Sequence, residues 1–217
     1  MNPPANFDPL VKAYRALEWI AFGGDLERAR FCLLDRLADR RSILVLGEGD
    51  GRALARLVQL APHARIHCVD LSAGMLARTE ARLAGTETRA RVTFQQADAL
   101  TCEFQPSHYD AVVTLFFLDC FESSQVAALV GRLRVALQPG AAWLFADFVL
   151  PASGLARQRA RVWLGLLYAF FRWQTGLRTS ELPPSEALIL NAGFYRETQR
   201  DFQWGLLRCV LFRETKP

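Results

Sequence analysis

The segment Ser42 to Leu57, SILVLGEGDGRALARL, constrains this chain more than any other stretch. Ile43, Leu44, Val45 and Leu46 form an unbroken aliphatic run, the pattern of a strand buried on both faces. Gly47, Gly49 and Gly51 follow on alternate positions, and a helical period then begins with Leu54, Leu57 and Val58 on one face. Such an order predicts a ligand cradle. Glycine lets backbone pass close to a ligand, and a helix start offers unpaired N–H groups. The spacing is G-x-G-x-G with Arg52 next, so the third glycine of the dinucleotide fingerprint G-x-G-x-x-G is missing. That argues against a nicotinamide cofactor.

The 217 residues suit one core domain with a short elaboration. Hydrophobic residues at 51% and charged residues at 22% give a globular balance. Formal net charge is +4, and nearly all basic groups are arginine, since Lys12 and Lys216 are the only lysines. Acids are interspersed through most of the chain, so the pattern reads as solvated helix faces rather than a nucleic-acid surface. The cysteines at 32, 68, 102, 120 and 209 and the histidines at 63, 67 and 108 have no zinc-ligand spacing, and no metal is expected. The start, MNPPANFDPL, lacks a charged region followed by an apolar core, and the expected location is the cytoplasm. The apolar run from Val162 to Phe171 is too short to cross a bilayer.

Along the chain, helices are expected over about 9–22, after Asp8, and about 26–39, capped by Asp25. Strand and helix patterns then alternate. Arg65–Val69 reads as a strand ending in Asp70, Ser72 as the cap of a helix over 73–84, and Arg91–Gln96 as a third strand. Tyr109–Phe117 reads as a fourth strand, with a helix from Ser123 or Ser124 to Leu137 stopped by Gln138-Pro139-Gly140. Ala141–Val149 is a fifth strand. A long helix over Leu155–Phe171 follows, then a short one from Ser185 to about Asn191, and a hairpin of Phe194–Gln203 and Leu206–Arg213 turning at Trp204-Gly205. The alternation predicts an α/β fold, doubly wound on a mostly parallel sheet.

These features together resemble the class I S-adenosylmethionine-dependent methyltransferases of small-molecule type. LGEGDG at 46–51 is similar to the first motif, and Asp70 to the acid that grips the ribose hydroxyls. Ala97-Asp98-Ala99 sits where adenine is held, Tyr109-Asp110 through Leu118-Asp119 resembles the fourth-strand motif, and LQPGAAWLFADF at 137–148 the turn and fifth strand. The resemblance implies a seven-stranded sheet with a C-terminal antiparallel hairpin. It also implies an N-terminal helical cap over 1–40 and a methyltransferase domain over 41–217, with a helical substrate-side insertion at about 152–190. Implied cofactor-binding residues are Tyr14, Arg30, Gly47, Glu48, Gly49, Gly51, Asp70, Leu71, Met75, Asp98, Ala99 and Leu115. The family usually carries an acid two places before the first glycine, where this chain has Val45, and Ala141 follows Pro139-Gly140 where a second glycine is usual.

Asp119, just past the fourth strand, is the expected catalytic residue, orienting the acceptor or removing its proton. Its alternative role is an acid at the start of the next helix. Asp70 as a helix-start acid and Asp98 as a plain loop acid are likewise open alternatives. Trp163, Tyr168, Phe170, Phe171 and Trp173, interleaved with arginines, suggest a small apolar or aromatic acceptor, with peripheral membrane contact and a homodimer as further expectations. The competing readings are an RNA or protein methyltransferase and a non-catalytic S-adenosylmethionine-binding module.

Overall fold

A computed structural model describes residues 23–151, 153–155, 157–163, 165 and 182–215. The expected helix over 9–22, Tyr14 on it, and the aromatic residues from Tyr168 to Trp173 lie outside the described residues.

Seven strands form one sheet: β1 (Ser42–Leu46), β2 (Arg65–Asp70), β3 (Val92–Gln96), β4 (Tyr109–Leu115), β5 (Leu137–Phe148), β6 (Phe194–Phe202) and β7 (Leu207–Glu214). Their order is β3-β2-β1-β4-β5-β7-β6. The first five are mutually parallel, and β7 runs antiparallel to both β5 and β6. Alternation along β1 explains the two-sided core. Ile43 and Val45 point into one apolar layer, with Leu54, Leu57 and Val58 of α2 (Arg52–Leu60). Leu44 and Leu46 point into the other, with Leu129, Val130 and Leu133 of α4 (Ser123–Ala136). Both layers are needed because every residue of Ile43–Leu46 is at most 1% exposed. Trp143 in β5 is fully buried, and its indole N–H donates to Thr114 Oγ1 at 2.9 Å, which satisfies its one polar atom.

The sequence order reverses between β1 and β4. At such a switch point the two neighbouring crossovers leave in opposite directions and open a crevice at the carboxyl ends of the strands. Three helices frame that edge: α1 (Asp25–Phe31), α2, and α3 (Ala73–Leu83). Ser72 caps α3 as expected, its hydroxyl accepting from Met75 N–H at 3.1 Å.

Three local expectations are corrected. Asp25 is the first residue of α1, not its cap. Gly24 holds the cap position, and the helix ends at Phe31, with a short 3-10 turn over Leu34–Leu37 in place of the run to 39. The fourth strand ends at Leu115, because Phe116 takes a left-handed backbone with φ 54°. α4 starts at Ser123, as expected, and Glu122 before it closes a capping box: its side chain accepts from Gln125 N–H, and Gln125 Oε1 accepts from Glu122 N–H at 3.0 Å. Finally, Pro139-Gly140 does not separate helix from strand. β5 already begins at Leu137, and the extra residues are absorbed as a bulge against Tyr109–Ala111. A proline fits there because a bulge leaves an N–H unpaired.

The terminal hairpin forms with the expected turn at Trp204-Gly205. Residues 154–155, 157–163 and 165 are helical, in the stretch where a helix from Leu155 was expected, and α5 (Ser185–Asn191) follows. Among the described residues no helix is long and apolar enough to cross a membrane.

Candidate cofactor and acceptor site

Gly47 leaves β1 with φ 62°, and Gly49 and Gly51 follow with φ 71° and 83°. Two of the three face tight neighbours. A Cβ on Gly47 would stand 2.1 Å from Phe117 Cδ2, and one on Gly51 2.8 Å from Thr79 Cα. A Cβ on Gly49 would meet no atom within 4 Å. The loop is thus clamped by protein at both ends and open at its centre, which suits a ligand lying against the middle glycine.

The clamps are polar as well. Thr79 Oγ1, on α3 and buried, donates to Gly49 O at 3.2 Å and shares a second contact with Met75 O. Arg52 bridges Asp50 at 2.8 Å and Glu27 of α1 at 3.2 Å, tying the loop to the N-terminal helix. Glu48 turns toward α2, its Oε1 accepting from Leu54 N–H at 2.8 Å and so satisfying a first-turn donor. This capping is a role the sequence reading did not assign it. Burial pushes the Glu48 carboxyl up to about 7, with the charge of Arg30 opposing the shift.

A raised carboxyl pKa has a definite sign. Between about 4.5 and 7 the folded chain holds a proton that the unfolded chain has released, so stability falls as pH rises across that window. Glu48→Gln keeps an acceptor for Leu54 N–H without the charge. Thermal unfolding followed by circular dichroism should show the variant flatter than the parent over that window. Above neutral pH it should gain on the order of 1–2 kcal/mol.

Asp70 ends β2 beside the loop: Gly47 N–H donates to Val69 O at 3.0 Å. The Asp70 carboxylate accepts from Ser72 N–H at 2.9 Å and is half-buried. Ala97 N–H donates to Asp70 O at 3.1 Å, which brings the 97–99 loop to the same edge. There Asp98 accepts from Leu100 N–H at 2.9 Å in an Asx turn, and Ala99 is buried in the α4-side core. Leu71 is 40% exposed at the same corner, and Met75 is half-buried one turn into α3. Leu115, at the end of β4, is buried in the α2-side core.

The far wall of the crevice is acidic. Asp119 lies in a short turn over Leu118–Cys120, and its N–H donates to Asp147 Oδ2 at 3.1 Å. Asp147 is 2% exposed near the end of β5 and also accepts from Phe148 N–H at 2.9 Å. Burial raises both carboxyls, Asp119 to about 6 and Asp147 well above the ordinary range, and the charge of Asp119 further disfavours ionisation of Asp147. Two close carboxyls in a low-dielectric site cannot both ionise at low cost, so one proton is retained, on the more buried Asp147. Arg30 acts electrostatically on both Asp119 and Glu48, and its guanidinium lies 5.3 Å from the centre of the Phe116 ring. Arg30, Glu48 and Asp119 therefore converge, although they lie on three separate elements.

Beyond the aspartates, Phe116, Phe148, Leu150, Trp163, Leu182 and Phe202 pack partly buried around Leu26, Ala29, Ala160, Leu206 and Leu207. This third apolar cluster lies past the ends of β4, β5 and β7. Two surface cavities of about 530 and 540 Å³ open elsewhere, at the opposite edge near Gly140, Glu214 and Thr215, and contain none of the residues above.

The sequence reading missed Asp147, Thr79 and the capping role of Glu48. Asp147 carried one usable signal: it is a lone acid inside the apolar run LFADF. Thr79 carried none that distinguishes it from a helix-surface residue.

Residues 43–140 match the family model described as a methyltransferase domain. No curated protein matches the chain. Among solved structures, the chain is similar to the mitomycin 7-O-methyltransferase MmcR, with 18% identity, a TM-score of 0.67, and 89% of this chain and 55% of that one covered. It is similar to human N-acetylserotonin methyltransferase, solved in complex with SAM, at 18% identity and a TM-score of 0.60, covering 89% of this chain and 52% of that one. A SAM-dependent methyltransferase from Methanosarcina mazei aligns at 14% identity with a TM-score of 0.62, covering 83% and 94%. The chain spans about half the length of MmcR and of the human enzyme. At these identities the likeness is one of fold.

Proposed function

We propose, for a chain that carries a methyltransferase domain over residues 43–140, that it moves a methyl group from S-adenosylmethionine to an oxygen or carbon of a small apolar or aromatic acceptor. The carrying observation is the pairing of the clamped glycine loop with the Asp70 carboxylate on adjacent strands, leaving open space over Gly49. That arrangement fits an adenosyl group. Asp70 would accept both ribose hydroxyls in charge-assisted bonds. Leu71 and Met75 would cover one face of the adenine, and Asp98, Ala99 and Leu115 would border it. Arg30, on the far wall, carries the charge needed to meet the methionine carboxylate. Tyr14 keeps the part the family resemblance gives it, as a cofactor contact.

The sulfonium donor brings an already activated methyl group, so the chemistry is a single in-line displacement. The protein must align the acceptor and exclude water. The aromatic cluster of Phe116, Phe148, Trp163 and Phe202 supports an acceptor of matching character. Asp119 would orient a hydroxyl acceptor and take its proton. A carboxylate raised to about 6 is a better base than an ordinary aspartate and is still ionised at neutral pH. Asp147 would act through Asp119, holding its backbone N–H and so the turn that presents its carboxylate. We assign the chain to the cytoplasm, in keeping with its scattered thiols, and to a homodimer, for which the edge strand β6 offers a contact.

Titration calorimetry tests the reading directly. S-adenosylhomocysteine should bind at micromolar or tighter, and NADH should not bind. Asp70→Ala should weaken the former by on the order of 30-fold, about 2 kcal/mol, because ribose hydroxyls would lose an ionised acceptor. An Asp70→Ala variant that binds like the parent removes the ribose contact and with it the cradle.

A further inference from the structure

One arginine of α4 grips the loop after β3 by its carbonyls. Arg132 Nη1 donates to Ala99 O at 2.9 Å and to Leu100 O at 2.5 Å, and Nη2 donates to Cys102 O. The same guanidinium lies 5.2 Å from the centre of the Phe104 ring. Those carbonyls belong to one turn. Thr101 N–H and Cys102 N–H both donate to Asp98 O, at 3.0 and 2.8 Å, and Leu100 N–H donates to Asp98 Oδ1 at 2.9 Å. Residues 98–102 therefore form a single helical turn that is not continued, with carbonyls at its end that no further turn can satisfy.

A cation at such an end meets those carbonyls. A guanidinium suits the place better than an ammonium, because its planar fork reaches several oxygens at once. Arg132 is half-buried, and its neighbours on α4, Leu129 and Leu133, are fully buried against the sheet, so a packed helix sets its position. At the other end of the turn, Asp98 Oδ1 is taken by Leu100 N–H, while Oδ2 has no protein partner among the described residues. Ala97 N–H, bonded to Asp70 O, holds this end at the crevice edge.

We infer that Arg132 is a positioning residue for the cofactor's base: it fixes the 98–102 turn so that Asp98 Oδ2 is offered to the exocyclic amino group of adenine. The inference rests on the cofactor reading proposed above and adds the residue that holds one of its contacts in place. Adenine's amino group donates where an ionised carboxylate can only accept. A hypoxanthine ring carries a carbonyl at that position and sets oxygen against oxygen. Without the guanidinium, carbonyls of the buried Ala99 and the half-buried Leu100 and Cys102 lose their partner, and the turn drifts from the conformation that presents Asp98. A ligand that uses the Asp98 contact is then weakened by the fraction of competent turns, and a ligand that does not use it is spared.

Titration calorimetry of the full chain with S-adenosylhomocysteine and S-inosylhomocysteine provides the test. The parent should prefer the adenosyl ligand by about tenfold or more. Arg132→Met, which keeps the aliphatic stem, should lose about tenfold for the adenosyl ligand and about twofold or less for the inosyl one, so the preference should shrink about fivefold. Arg132→Lys, with a point charge in place of the fork, should fall between the two. A general loss of folded protein lowers binding of both ligands together and leaves their ratio unchanged, so the ratio isolates positioning from stability. Equal losses for the two ligands, or unchanged affinity for both, overturn the inference. A parent that binds both without preference also overturns it, since nothing then reads the amino group. A parent that binds neither overturns the cofactor reading itself, an outcome distinct from the others.

Discussion

Asp119→Asn is expected to lower kcat by 10²- to 10⁴-fold while leaving S-adenosylhomocysteine affinity within about twofold of the parent. The amide preserves size and the Asp119 N–H bond to Asp147 Oδ2, so the turn over Leu118–Cys120 should persist. What is lost is the basic oxygen. The parent's kcat should rise with pH through about 6 as the pair gives up the proton held by Asp119, and the asparagine variant should lose that limb. Asp147→Asn tests positioning through the same readout: the limb should persist but shift, because a titrating carboxyl no longer stands beside Asp119. A full-rate Asp119→Asn enzyme would show that alignment alone carries the reaction, with no proton removal.

Gly47→Ala should be the most damaging single substitution in the loop. Two costs combine, since the backbone sits at φ 62° and the new Cβ would fall 2.1 Å from the Phe117 ring. Phe117 is packed against Phe121 and partly buried in the α4-side core, so it has little room to retreat. Denaturant unfolding should register a loss of roughly 2–4 kcal/mol, and cofactor affinity should drop as the loop shifts. Gly49→Ala is the internal control. It carries a similar backbone penalty at φ 71° but meets no atom within 4 Å, so its stability loss should be closer to 1 kcal/mol while its effect on ligand binding remains large. Equal stability losses at 47 and 49 would mean the Phe117 contact relaxes freely.

The parallel core was legible because burial on both faces writes itself into local composition. Runs such as ILVL at 43–46 and AVVTL at 111–115 admit few other environments. The glycine bend and the Ser72 cap were equally local, each a matter of one residue's backbone or hydroxyl. Where several weak signals competed, tertiary contacts overrode them. Asp25 was available as a cap, yet its carboxylate instead accepts from Gln203, 178 residues away, and Gly24 took the cap position. Pro139-Gly140 looked like the boundary between helix and strand, yet the pairing of Leu137 with Tyr109 of β4 starts β5 ahead of it.

The linear order of residues therefore determined which segments are strands, where the chain bends for a ligand, that Asp70 ends a strand and that Asp119 follows one. Only the folded sheet decided that Asp119 meets Asp147, 28 residues on, that Arg30 stands near both Glu48 and Asp119, and that Thr79 buttresses the loop from another helix. The division has a simple cause. Burial and backbone preference act on each residue through its immediate neighbours in the chain. A shared proton or an ion contact depends on side chains that become neighbours only when strand order and register are set.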